Sequence, residues 1–267
     1  MLTPLLFAML AADSPAEAPS DRAADTRCCA VVELRQYTLK PGQRDALIEL
    51  FEREFVETQE ATGMRLVGQF RDLDRPDRFV WIRGFPDMPS RAESLQAFYG
   101  GPVWQAHRDA ARATMIDSGN VLLLRPVAPE SGFATPATPR APAGTKTAPR
   151  SRVLATIYYF DAPVDESFRR FFENELSPAL VEAGGRPIAR FETEPAENTF
   201  PRLPVREGEH VFVWFARFDD EGALRAHERR LATSARWNEE LVPKLEKRLK
   251  SAPERLVLEP TPRSFLR

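Results

Sequence analysis

The sequence predicts an α+β chain in which one strand–helix–strand–strand–helix–strand unit occurs twice, and three observations carry that prediction. The block FVWIRGFPD from Phe79 returns as FVWFARFDD from Phe212, so Trp81 answers to Trp214, Trp104 to Trp237 and Pro126 to Pro260, with the same spacing between the two tryptophans in each copy. Upstream, Tyr37, Leu47, Phe51, Glu54, Phe55, Gly63 and Phe70 meet Tyr158, Phe168, Phe172, Glu175, Leu176, Gly184 and Phe191 at one constant offset. Between the copies lies APESGFATPATPRAPAGTKTAPR, dense in Pro, Ala and Thr and without apolar periodicity, which reads as a linker. The predicted boundaries are an extension over residues 1–29, a first unit over 30–127, a linker over 128–151 and a second unit over 152–262.

In the first unit, AVVELRQYTL alternates Val32, Leu34 and Gln36 against Glu33, Arg35 and Tyr37, a strand with one polar face. Pro41-Gly42 ends it, and Leu47, Leu50, Phe51 and Phe55 then recur at the spacing of one helical face, with Glu54 on the same stripe. Gly63 is placed to cap that helix. MRLVGQFRD is a second strand and RFVWIRGF a third, whose aromatic content suits a pleated surface. Gly100-Gly101-Pro102 divides the following helical region into two pieces, and NVLLLRPV is a short apolar strand. This order is the ferredoxin-like plan, a four-stranded antiparallel sheet with both helices on one face. A sheet covered on one face needs a second layer for the other, so the two copies are expected to face each other as a pseudo-dimeric α/β barrel, with a swapped homodimer as the rival arrangement.

The second unit opens with RVLATIYYF and continues with a helix carrying Phe168, Phe171, Phe172, Leu176 and Leu180 on one face, closed by Gly184-Gly185. It departs from the first in two ways. A longer connection, TEPAENTFPRLPVREGEH, joins its middle strands and reads either as a flap over a pocket mouth or as a surface excursion. Its polar residues also differ: Glu33, Arg35, Arg83 and His107 become Leu154, Thr156, Ala216 and Glu240.

A hydrophobic content of 43% supports a sizeable core, and a net charge of −2 from 37 basic and 39 acidic residues supplies no long-range attraction to nucleic acid or anionic lipid. A small molecule remains as the expected partner, together with a second copy of the chain. Cys28 and Cys29 are adjacent, which gives neither a loop-closing framework nor a metal-ligand spacing; they read as ordinary thiols in a tether, with a vicinal disulfide as the other geometry. Met1 to Ala12 is an apolar run too short to span a bilayer. No basic residue precedes it and no clean processing site follows, so it reads as a disordered extension of a cytoplasmic protein, with export through a weak signal segment as the alternative.

Candidate chemistry is confined to a few side chains. Glu33, Arg35, Tyr37, Arg83 and Trp81 are the expected ligand-binding set: with the apolar alternate residues against the helices, the polar face enters the barrel, where Arg offers a planar fork to a carboxylate or carbonyl. An ion pair at the sheet rim is the structural reading of the same residues. His107, with Arg35, is the candidate catalytic pair; the histidine suits a general base or a haem ligand, or simply a hydrogen-bonded helix-face residue. The tryptophans read as core, and Glu54 and Glu175 as edge carboxylates with solvated heads. No metal-ligand spacing, phosphate loop or nucleophile elbow occurs, and the sequence requires no cofactor.

ELRQYTLKPG at the start of the first unit and FYGGPVWQAHRDAARATMIDSGNVLLLRP at its end closely resemble the NIPSNAP family. The resemblance covers Val31 to Val127 well, and Val153 to Pro260 looks like a diverged second domain of that type. It implies the dimeric α/β-barrel superfamily, whose members include cofactor-independent oxygenases, isomerases, haem-binding enzymes and plain binding modules. A binding protein for a small, mainly apolar ligand held in the barrel is the expectation, with a cofactor-independent oxygenase or isomerase as the alternative, and any site is expected to belong mainly to the first unit.

Overall fold

The computed structural model describes residues 27–135 and 138–267, so the predicted extension lies, up to residue 26, outside the described residues. Eight antiparallel strands close into one barrel within the single chain: β1 (Val31–Leu39), β2 (Arg65–Asp72), β3 (Arg78–Phe85) and β4 (Met115–Pro126) from the first half, and β5 (Arg152–Phe160), β6 (Pro187–Thr193), β7 (His210–Phe218) and β8 (Glu254–Pro260) from the second. Around the barrel they run β1-β3-β2-β8-β5-β7-β6-β4. The halves therefore meet at two seams, β2 with β8 and β4 with β6, each short.

Both faces of nearly every strand are buried, and the two faces have different neighbours. Val32, Leu34, Val80, Ile82, Val153, Ala155, Ile157, Val211, Val213 and Phe215 fill the lumen. Side chains of this kind fill most of an eight-stranded barrel, leaving an apolar cavity of about 240 Å³ against Cys28, Val67, Phe133, Ile188 and Leu266. The opposite face of the first half, with Tyr37, Phe79, Trp81 and Phe85, packs under the helices with Leu47, Phe51, Phe55, Leu95 and Phe98. This reverses the expected orientation. Val32 and Leu34 point inward, and Glu33, Arg35, Tyr37, Trp81 and Arg83, being of the opposite parity, lie between sheet and helices. Alternation marks two faces but not which is the lumen, and a closed barrel covered by helices buries both.

The helices follow their sequence signals. The helix over residues 44–60 contains a π turn at Phe51–Phe55, matched in the second half by one at Phe172–Leu176. Gly63 and Gly184, at φ of +93° and +90°, end these helices in the left-handed conformation that glycine adopts without strain. The division at Gly100-Gly101-Pro102 is present, separating the helices Met88–Gly100 and Pro102–Thr114. Asp87 caps the first of these by accepting from Ser90 N at 2.7 Å, as Asp220 caps Glu221–Thr233 through Ala223 N at 2.9 Å. β4 begins earlier than expected, at Met115, and pairs with β1 through register shifts near Gln36–Leu39.

The linker is not a free tether. Its one aromatic residue, Phe133, enters the lumen cluster with ring centroids 4.9 Å from Phe191 and 5.0 Å from Phe215. Arg140 donates to Glu60 Oε1 and Leu66 O, both at 2.8 Å. The last residues fold back on the first half, with Thr261 N on Gln69 O and Leu266 N on Val67 O, each 2.8 Å, extending the β2–β8 seam. Cys28 and Cys29 form a vicinal disulfide against this end of the barrel, in place of the expected free thiols. No helix among the described residues is long and apolar enough to cross a membrane.

Candidate functional site

Adjacent positions of β1 and β3 bring three charges together beneath the helices. Glu33 stands opposite Arg83, and Arg35 opposite Trp81, in the β1–β3 register. A third arginine, Arg91, enters from the first turn of the Met88–Gly100 helix. Glu33 Oε2 accepts from Arg35 Nη1 at 2.6 Å and Arg83 Nε at 2.8 Å, while Oε1 accepts from Arg91 Nε at 2.7 Å. All four side chains are fully buried. Arg35 Nε also donates to Tyr37 OH at 3.2 Å, and Arg83 Nη1 to Gln59 Oε1 at 3.0 Å.

One carboxylate thus faces three guanidiniums, and their donors are not used up. Arg35 Nη2, Arg83 Nη2, Arg91 Nη2 and Trp81 Nε1 are buried without a hydrogen-bond partner among the described residues. An unmet buried donor costs about 1–3 kcal/mol, more when charged, so several at one place call for an occupant. Burial pushes the Glu33 carboxyl up, but Arg83, Arg35 and Arg91 outweigh it and hold it well below the usual carboxylate range. Burial also pulls the Arg35 guanidinium down; Tyr37 and Glu33 reverse this, so that it is held above its ordinary value. The Tyr37 phenol is raised by burial and stays neutral near pH 7. Arg91 is lowered by burial, with Glu33 opposing. Aromatic rings wall the charges: Arg83 Cζ lies 5.0 Å from the Trp81 ring and 5.9 Å from Tyr99, and Arg35 Cζ 5.3 Å from Trp81.

The second half closes this site. In the long β6–β7 connection, Asn198 Oδ1 and Thr199 Oγ1 accept from Arg91 Nη1 at 3.0 and 3.2 Å, and Phe200 stacks on Tyr99 at 6.0 Å between centroids. The connection packs over the cluster instead of running free over the surface. Behind it opens a cavity of about 610 Å³ whose wall includes Asn198 and Leu123. Arg35, Arg83 and Arg91 do not line it; Asn198, which accepts from Arg91 Nη1, stands between the cavity and the cluster.

Five predicted residues, Glu33, Arg35, Tyr37, Trp81 and Arg83, come together here. His107 does not join them: its Nε2 lies 3.5 Å from Glu54 Oε2 and its ring packs edge-on near Phe55 at 6.4 Å, one-third exposed. Glu54 is the half-solvated edge carboxylate expected. Trp81 and Trp214 are buried as expected, while Trp104 and Trp237 pack against the cores only partly covered. Arg91, Gln59, Tyr99, Asn198 and Thr199 were not anticipated. The repeat held a signal for Arg91, because the tryptophan-anchored alignment sets it against Leu224. Among the described residues no group of three His, Cys, Asp or Glu is placed to hold a metal ion.

Compared with known families, residues 32–129 match the NIPSNAP family model, in agreement with the resemblance read from ELRQYTLKPG and the Gly-Gly-Pro segment. No curated protein matches the chain. In fold it is similar to a protein named "Putative monooxygenase" from Fusobacterium nucleatum subsp. nucleatum, at a TM-score of 0.53 and 9% identity over 86% of this chain and 92% of that one. A protein from Lactobacillus acidophilus NCFM named in the same words gives 0.50 and 14% over 86% and 93%. A NIPSNAP family protein of unknown function from Agrobacterium tumefaciens str. C58 aligns at 26% identity over 38% of this chain and 93% of its own, with a TM-score of 0.35. The first two likenesses concern the α+β barrel as a whole.

Proposed function

We propose that this chain is a small-molecule-binding protein of two ferredoxin-like repeats, NIPSNAP-like in the first and diverged in the second, which holds a mainly apolar, ring-bearing ligand with an acidic end. The ligand lies between sheet and helices of the first half, under the flap, and not in the lumen. The observation that carries this reading is the set of fully buried arginines, Arg35, Arg83 and Arg91, each with an unbonded Nη2, separated by Asn198 from a cavity of about 610 Å³. Volumes of this size are typical of small-molecule sites. Arg35, Arg83 and Arg91 take the acidic end, Trp81 and Tyr99 the ring, and Tyr37 orients Arg35.

The test is calorimetric titration of the full chain with 1-naphthoate as probe. Arg35→Leu should weaken binding by at least about tenfold, the loss of one charge-assisted hydrogen bond. Thr156→Val, the counterpart in the second half, should leave it unchanged. Equal losses from the two substitutions would place the site in the wrong half.

A second reading, a cofactor-independent oxygenase or isomerase, is favoured by the same excess of buried positive charge, which would stabilise an enolate or phenolate as it forms. In the oxygenase form, a substrate CH2 group becomes a carbonyl, with one atom of dioxygen entering the product and the other leaving as water with the two substrate hydrogens. The two chains of similar fold that carry the monooxygenase name support no more than the plausibility of that chemistry on this barrel. Oxygen uptake with quinol-like and anthrone-like compounds separates the readings: uptake abolished by Arg35→Leu and retained in His107→Ala favours the enzyme, and binding without uptake favours the carrier.

A further inference from the structure

We infer that the chain has a second ligand site, apart from the arginine cluster, at one end of the lumen, and that it takes a monocarboxylic acid with a hydrocarbon body of about ten non-hydrogen atoms. The first ground is room, a cavity of about 240 Å³. Val67 of β2 and Ile188 of β6 both line it; they are the same position of the two repeats, and β2 and β6 stand opposite each other in the barrel order, so the cavity spans the lumen between the halves. Protein interiors leave few voids larger than a water molecule, so a space of this size in an otherwise packed lumen calls for an occupant. An apolar cavity of about 150 Å³ stays dry and takes benzene, which scales to roughly ten carbon-sized atoms here.

Access is the second ground. The floor of the cavity, Val67 and Phe133, is buried, whereas Arg65, Ile188, Phe265 and Leu266 are half-buried and Ala134 is exposed, so the rim opens to solvent. Much of that rim comes from segments that neither repeat supplies: Cys28 precedes β1, Ala134 belongs to the linker, and Phe265 and Leu266 follow β8. Backbone hydrogen bonds hold these segments in place, Cys28 N on Phe133 O and Leu266 N on Val67 O, both 2.8 Å. The same bonds use up those polar backbone groups beside the cavity.

Chemistry is the third ground. Arg65 is the one charged side chain that lines the cavity, and no carboxylate lines it. Among the described residues the Arg65 side chain has no ion pair and no hydrogen bond; its Cζ lies 4.7 Å from the centroid of the Phe265 ring. A guanidinium left free at the rim takes a carboxylate in a planar fork. The walls, hydrocarbon apart from the Cys28 sulfur, take a body without polar groups, because a hydroxyl or a second acid set among them would be buried unpaired.

The experiment titrates the full-length chain calorimetrically with butanoate, hexanoate, octanoate and octanol, as wild type and as Arg65→Gln and Ile188→Phe. Affinity is expected to rise about fourfold per methylene, so that octanoate binds roughly 200-fold more tightly than butanoate. Arg65→Gln should weaken octanoate about tenfold, the worth of one charge-assisted hydrogen bond, and leave octanol unchanged. Ile188→Phe, which puts a larger side chain into the cavity, should remove the binding of both; should it fail to fold, Arg65→Gln at its half-buried position still decides. No gain with chain length, or octanoate binding untouched by Ile188→Phe, would overturn the cavity as the site. Equal losses of acid and alcohol in Arg65→Gln would overturn the acidic end. Binding of none of the four would overturn the inference and leave the arginine-cluster reading standing, since no arginine of that cluster lines this cavity.

Discussion

The two halves of the barrel share a frame and differ in what they bury under their helices. In register, the pair Glu33–Arg83 of β1–β3 is the pair Leu154–Ala216 of β5–β7, and Arg35–Trp81 is Thr156–Trp214. Arg91 stands where Leu224 stands, each four residues after a capping aspartate whose backbone carbonyl it bonds. The tryptophans show the effect of the change. Trp214 Nε1 donates to Tyr158 OH at 3.1 Å, closing a neutral pair. In the first half Tyr37 OH is taken by Arg35 and Trp81 Nε1 has no partner among the described residues. The second half therefore demonstrates that this fold needs the aromatic positions and not the charges. A polar set present in one half alone is therefore not a requirement of the shared frame.

Four experiments break or sharpen that contrast. Glu33→Gln should have the largest effect, because it leaves three buried guanidiniums facing a neutral amide; a loss of about 3–5 kcal/mol in urea unfolding is expected, as for other broken buried pairs. Acidification comes next. The Glu33 carboxyl is depressed in the folded state, so its contribution to stability is fully present above the unfolded carboxylate value of about 4.3 and is lost as pH falls below it toward the folded value. Unfolding curves at pH 7, 4 and 3 should show this loss in the wild type and a shallower one in Glu33→Gln, since the amide does not titrate.

Smaller effects test the tryptophans and the charges as a group. Trp214→Phe should cost about 0.5–1.5 kcal/mol more than Trp81→Phe, because only Trp214 gives up a side-chain hydrogen bond. Equal costs, read from denaturant midpoints, would show that the Trp81 indole has an unseen partner. Transplanting the second half's residues into the first (Glu33→Leu, Arg35→Thr, Arg83→Ala and Arg91→Leu together) should change stability by no more than about 1 kcal/mol in either direction, since replacing a whole buried ionic set is far cheaper than breaking it. The same variant should lose all binding of aromatic acids. A quadruple variant that fails to fold would mean that the charges are structural after all.

Much of this was legible in the sequence, and the part that was not has a definite physical origin. The repeat fixed the strand and helix order through Trp81, Trp214, Gly63 and Gly184, and comparing its copies singled out Glu33, Arg35 and Arg83 as the odd residues. Their direction was misread because β1 is buried on both faces, so Val32 and Glu33 carry no sign of which side is the lumen. Arg91 escaped because an arginine in a first helical turn looks like a solvated residue until its carboxylate is found 58 positions earlier. Asn198 and Thr199 belong to an irregular connection, where no periodicity relates a side chain to its target. Phe133 was passed over as the lone aromatic in a Pro-rich stretch, although a single apolar residue among polar ones is what a docked linker leaves in a sequence.

The β2–β8 seam and the flap set a timetable for the molecule. Arg91 and its flap partner Asn198 are 107 residues apart, so at ribosomal speeds of about 5–20 residues per second the arginine leaves the tunnel roughly 5–20 s before the residue that covers it. Until Glu254–Pro260 follows, β2 has no neighbour on one edge and the barrel stays open. A nascent chain carries Arg91 without its flap partner over 107 residues of synthesis, and the β2 edge stays bare until β8 is made. A stop codon within Glu254–Pro260 would remove part of β8, leaving every charge of the site in place on a barrel whose last seam is incomplete.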